Sequence, residues 1–197
     1  MPRAAAAIAV AVALAAPGGA AGEDRVERRR HWALPDQAKL QLAGNVGFLS
    51  PGVGWSWLGS RLEGDLFFGW VPASIGGDSI VSLTGKLTLA PWRLQPGSGW
   101  SLRPLTAALQ LTYTFGHEYF LRLPDHYPHG YYSAATALRS ALAVGASVGR
   151  RQWGLDEIGV YAELVALDAM LGFWITNPRA LGPTDALSLA VGVRAAF

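Results

Sequence analysis

Three of the four histidines fall in one stretch, FGHEYFLRLPDHYPHGYYS over residues 115–133. His117, His126 and His129 stand there with Glu118, Asp125 and several tyrosines; His31 lies far upstream. Histidine exchanges protons near neutral pH and ligates metals, so this is the stretch whose residue types suit acid–base or metal work. Asp125 beside His126 or His129 could orient a general base, with Ser133 or a tyrosine as nucleophile. His117, His126 and His129, with Asp125 or Glu118, could hold a divalent cation. The chain has no His-Glu-x-x-His and no serine in a nucleophile elbow. Pro124-Asp125 and Pro128-His129-Gly130 are also turn formers, and the tyrosines suit a polar–apolar boundary. The favoured expectation is a structural loop, with catalysis as the alternative and no cofactor.

The elements that would carry such a loop are legible in composition and period. Of 197 residues, 51% are hydrophobic and only 15% charged, against about 25% in an ordinary soluble domain. That length supports one domain with a sizeable core. There is no cysteine, which excludes disulfides, thiolate nucleophiles and Cys-ligated metals.

Residues 1–22 have the layout of a secretory signal peptide: basic Arg3, an apolar run over 4–16, then a small, flexible stretch over 17–22. The run is mostly Ala and shorter than the roughly 20 residues of a spanning helix. Cleavage is expected after Ala21 or Gly22. Removing this segment takes away Arg3 alone, leaving 15 basic against 14 acidic residues, a net of +1. The basic cluster of Arg25 and Arg28–Arg30 is interleaved with Glu23, Asp24 and Glu27. Residues 23–38 therefore read as a solvated polar leader, and no nucleic-acid partner is expected.

From residue 39 onward, apolar residues return at every second position, the period of a half-buried strand. Residues 39–48 set Leu40, Leu42, Val46 and Phe48 against Lys39, Gln41 and Asn45. Ser50-Pro51-Gly52 reads as a turn, followed by Val53, Trp55 and Trp57. Residues 61–70 set Leu62, Leu66, Phe68 and Trp70 against Glu63 and Asp65. Residues 80–90 set Val81, Leu83, Leu87 and Leu89 against Ser82, Thr84, Lys86 and Thr88. Residues 105–114 set Leu109 and Leu111 against Gln110 and Thr112. Residues 136–148 set Leu142 and Val144 against Arg139 and Ser147, and residues 158–167 set Val160 and Leu164 against Glu163. The last segment, 187–197, sets Leu189, Val191 and Val193 against Arg194 and ends on Phe197. Residues 135–148 and 155–171 could also be drawn as Ala- and Leu-rich helices, but their glycines disfavour this.

Eight strands result, joined as an antiparallel up-and-down meander. The loops on one end (50–52, 72–79, 115–133, 171–184) are mostly long, and the turns on the other (59–60, 91–99, 150–154) are mostly short. Trp70, Trp92, Trp100, Tyr113, Trp153 and Trp174 gather near strand ends. On this phase the apolar sides face outward. The interior collects Lys39, Gln41, Asn45, Glu63, Asp65, Lys86, Gln110, Arg139, Glu163 and Arg194. Narrow eight-stranded barrels are filled by side chains, so nearly balanced charge points to a packed lumen of ion pairs in preference to an open pore.

Strand count, loop asymmetry, the amino-terminal segment and terminal Phe197 resemble the eight-stranded bacterial outer-membrane β-barrel class. That class includes OmpA-, OmpX- and OmpW-type barrels and the lipid A deacylases. The resemblance implies an all-β transmembrane barrel over residues 39–197, exported to the outer membrane and most often monomeric. It implies lipid and lipopolysaccharide as neighbours, and a carboxy-terminal strand, ending at Phe197, that signals to the barrel-assembly machinery. The deacylases carry a His-x-Ser pair. Here His126-Tyr127-Pro128 puts proline at the serine position, so no catalytic residue is carried over. The expected role is structural or surface-interacting. The alternatives are a lipid-modifying hydrolase at His126 or His129, and a small channel lined by Lys86, Arg139 and Arg194.

Overall fold

The computed structural model describes residues 33–120, 136–168, 170–172 and 186–197. Alternation in the sequence becomes alternation in burial. In the strand Ile80–Leu89, inward Ser82, Thr84, Lys86 and Thr88 are buried while Leu83, Leu87 and Leu89 are exposed on the outer wall. The eight strands are β1 (Gln37–Ala43), β2 (Leu49–Trp57), β3 (Leu62–Val71), β4 (Ile80–Leu89), β5 (Trp100–Phe115), β6 (Leu138–Gln152), β7 (Leu155–Leu167) and β8 (Leu187–Ala196). Each pairs antiparallel with its sequence neighbours, and β1 closes on β8 from Gln37↔Ala196 to Ala43↔Ala190. Closure leaves no unpaired edge, so the ladder satisfies the backbone without help from solvent. Of the two segments that sequence alone also allowed as helices, the first is strand from Leu138 in β6 and the second is strand to Leu167 in β7, while Asp168, Met170 and Leu171 just beyond it are helical.

The end where β1 begins and β8 finishes is called lower. Its turns are short where glycine or a left-handed residue permits. Trp153 and Gly154, at φ 56° and 77°, form the two-residue hairpin between β6 and β7; this pairing of signs matches the right-handed strand twist. At the upper end, residues 72–79 contain one helical turn, α1 (Ala73–Gly76). No helix among the described residues is long and apolar enough to cross a membrane.

The first upper turn is not at Ser50-Pro51-Gly52. Those residues lie inside β2, and the chain reverses over residues 44–48. Ala43, Gly44 and Asn45 take φ 60°, 72° and 63°, and glycine and asparagine tolerate that region best. Pro51 is accommodated at a lapse in the β2–β3 ladder, between the pairs Leu49↔Trp70 and Gly52↔Phe67. The reversal also turns Val46 inward: it is buried, and its carbonyl accepts from Ser82 Oγ at 2.5 Å. The expectation of Val46 on the outer face is corrected accordingly.

The outer wall is apolar. Between the two rims no outward strand position carries a charge; the first to do so, Arg150 and Asp156, lie at the lower rim. Exposed aromatics mark both ends, with Trp57, Trp92, Trp153 and Phe197 below and Phe48, Trp70 and Phe115 above. The strand-end placement expected for Trp174 lies outside the described residues.

Candidate functional site

The interior of the barrel is where the ionisable side chains converge. In its upper half, Phe67, Val165 and Thr84 are fully buried, and Ala108, Ala141, Ala143, Val165 and Ala190 pack together. The lower half is ionic. Glu63 of β3 receives Lys39 Nζ at 2.8 Å, Arg103 at 2.7 Å and Arg194 at 3.0 Å. Asp65 accepts from Lys39 at 2.7 Å and from Gln37 Nε2 at 3.2 Å. Lys86 bonds Glu163, and Tyr161 donates its hydroxyl to Gln41 Oε1 at 3.1 Å. Glu157 faces Arg103 and Arg194 at 3.5 Å each and accepts from Arg93 at 3.2 Å.

Four buried cations, Lys39, Lys86, Arg103 and Arg194, thus meet four buried anions, Glu63, Asp65, Glu157 and Glu163. Burying a lone charge is costly unless it is paired and hydrogen-bonded, so equal numbers are the condition for filling a dry lumen this way. The pairs cross the barrel, tying β1, β3, β4, β5, β7 and β8. Strands β2, β6 and β8 also contribute small residues that make room. A Cβ at Gly54 would strike Asp65, one at Gly145 would strike Glu163, one at Gly149 Glu157, and one at Gly192 the Tyr161 ring. Glycine at these inward positions is a packing requirement.

The space left among Lys39, Glu63, Arg103, Tyr161 and their neighbours is about 20 Å³, room for roughly one water. Chemically, the arrangement binds its own charges to one another.

Most of the expected interior residues come together: Lys39, Glu63, Asp65, Lys86, Glu163 and Arg194 all join the network. Gln110 is fully buried in the lumen, with neither amide atom hydrogen-bonded among the described residues. Asn45 sits in the first upper turn, where its side-chain oxygen accepts from Ser188 at 3.4 Å. Arg139 stands near the upper rim, half-exposed, 3.8 Å from Asp168. Sequence reasoning missed Arg103 and Glu157. Arg103 lies just before a register shift in β5, where Pro104 and Leu105 both face outward and the inward parity changes from odd to even. Proline in an otherwise strand-like stretch was the available signal. Glu157 precedes the expected start of its strand by one residue.

Of the loop candidates, His117 and Glu118 are exposed at the top of β5. Asp125, His126, His129 and Ser133 lie outside the described residues. Among the described residues no group of three or more His, Asp or Glu is placed to hold a metal.

The chain is a closed, all-β, eight-stranded antiparallel barrel with a charge-balanced interior. Comparison with family models, with curated proteins and with solved structures finds no match.

Proposed function

We propose that this chain is an integral outer-membrane β-barrel of structural or surface-interaction role, working as a rigid scaffold that presents its upper loops. One observation carries the reading: the uncharged apolar wall between two aromatic rims, with eight charges enclosed on the other side of the same strands. A barrel dissolved in water has the opposite polarity, apolar within and polar without. A lipid-facing barrel requires this one, with an apolar band flanked by aromatic girdles. The ten-residue strands β3, β4 and β8 are of the length that crosses the hydrocarbon layer when tilted. The pattern in residues 1–22 supports export. Phe197 N–H donates to the Asp36 carbonyl at 3.0 Å, which continues the closing ladder to the lower rim. Filling of the lower lumen favours a scaffold over a channel.

The test is refolding of residues 23–197 from urea into phosphatidylcholine vesicles. The reading expects a compact, heat-modifiable species that floats with the lipid and resists carbonate extraction. Recovery of folded barrel in the aqueous fraction, free of lipid or detergent, would count against it.

A further inference from the structure

At the lower mouth, a pocket of about 230 Å³ opens between the turn joining β4 to β5 and the end of β6. That is room for several waters, enough for a phosphate group with part of its hydration. Arg93, Arg151, Asp156 and the turn Gly97-Ser98-Gly99 line it. Arg93 is a fifth cation beyond the balanced set in the lumen. Its Nε donates to Ser101 Oγ at 3.3 Å and one terminal nitrogen to Glu157 at 3.2 Å, which fixes the guanidinium at the mouth. Arg151 is exposed and makes no ion pair among the described residues, while its backbone N–H donates to the Gly99 carbonyl at 2.9 Å. That bond holds the strand end against the turn. Gly97, Ser98 and Gly99 have φ 104°, 48° and 76°, and none of their N–H groups donates to a backbone carbonyl among the described residues. Turns that leave successive N–H groups free form anion-binding concavities. Arginine adds a planar fork matched to phosphate oxygens. Two arginines against Asp156 leave the pocket with a net charge of +1, suited to a phosphodiester's single negative charge.

The position of the pocket indicates the source of that phosphate. Trp100 lines it, and Trp92 and Trp153 stand exposed at the same rim, where the apolar wall ends. The two rims also differ in sign. Among the described residues the lower one carries Arg61, Arg93, Arg150 and Arg151 against Asp36 and Asp156, and the upper one Arg139 against Asp78, Glu118 and Asp168. Basic groups at a membrane surface are drawn to anionic lipid.

We propose that this pocket binds the phosphate of an anionic phospholipid headgroup at the lower membrane surface, an inference that rests on the membrane reading above. The experiment uses the folded chain in zwitterionic micelles, titrated calorimetrically with dihexanoyl phosphatidylglycerol, dihexanoyl phosphatidylcholine and inorganic phosphate. Saturable one-site binding of the phosphatidylglycerol is expected, with weaker binding of the other two. Arg151→Gln should weaken it about tenfold, the loss of one charge-assisted hydrogen bond. Arg151→Lys should weaken it less, and Arg139→Gln at the other rim should leave it unchanged. Heat-modifiable migration of Arg151→Gln establishes that this variant is folded. Absence of saturable phosphatidylglycerol binding, equal binding of the phosphatidylcholine, or indifference to Arg151→Gln overturns the proposal. Binding of inorganic phosphate without the lipid overturns the headgroup assignment. Vesicle insertion is measured on the same preparations. Insertion without lipid binding removes the pocket alone, whereas binding without insertion removes the membrane reading.

Discussion

Replacing Glu63 with glutamine keeps the shape of the side chain and removes one of the four lumen anions. Its consequences follow from who is left with whom. Lys39 retains Asp65 at 2.7 Å, so it loses little. Arg103 and Arg194 lose their closest carboxylate contacts, at 2.7 and 3.0 Å, and retain Glu157 as their carboxylate, 3.5 Å from each, while Arg194 also keeps its bond to Gln37 Oε1 at 3.0 Å. A hydrogen bond to a charged group contributes about 1.5–3 kcal/mol. Two such losses agree with the roughly 3–5 kcal/mol measured when one partner of a buried pair is removed. Glu63→Gln should therefore destabilise the barrel by about 3–5 kcal/mol, read as a lower urea midpoint by tryptophan fluorescence in vesicles. Removing a cation as well should restore neutrality, and Glu63→Gln with Arg103→Met should recover at least half of the loss. A single variant within about 1 kcal/mol of the wild type would refute the reasoning, because that is the scale of a solvated surface pair.

Other expectations use the same contrast between wall and lumen. Arg139→Gln, which removes a half-exposed pair at the upper rim, should shift stability by no more than about 1 kcal/mol in the same urea titration. Leu87→Arg, on the outer wall opposite Leu109, should cost roughly 2–4 kcal/mol in a bilayer and reduce the yield of vesicle-inserted protein. Gly192→Val places a side chain where the Tyr161 ring already stands, and should cost about 1–3 kcal/mol through overpacking. In planar bilayers the folded wild type should give no single-channel steps, since the lower lumen has space for about one water; regular conductance steps from purified protein would contradict this.

Period-two alternation was enough to expose most of the fold, because a barrel wall with lipid-like polarity sorts nearly every strand residue by parity. The β4 strand, with Lys86 inward and Leu87 outward, is the clearest case. Parity carries no information where a strand bulges. Arg103 was hidden because the irregularity at Pro104 and Leu105 inverts the phase, and Glu157 because strand ends are soft by a residue or two. Turn chemistry misled at Ser50-Pro51-Gly52, whose letters favour reversal. Ala43-Gly44-Asn45 supplied the left-handed residues instead. Aromatic residues on the inner face were equally illegible. Phe67 fills the upper lumen and Tyr161 the lower, and only the packed barrel shows that neighbouring glycines make space for them. Of the histidine-rich loop, the most reactive stretch by composition, His117 and Glu118 stand exposed at the top of β5, and its other candidate residues lie outside the described residues.

The central claim is that the apolar side of each strand faces hydrocarbon while the ionisable side faces a closed interior. The chain has no cysteine, so single spin-labelled cysteines can be placed at will along β4 from residue 81 to residue 89. Collision with dissolved oxygen and with a water-soluble nickel chelate, measured in vesicles, reads each position directly. The account predicts a strict period of two: high oxygen collision at 83, 85 and 87, and little collision with either reagent at 84 and 86. High nickel accessibility at the odd positions, or at the even ones, would contradict it.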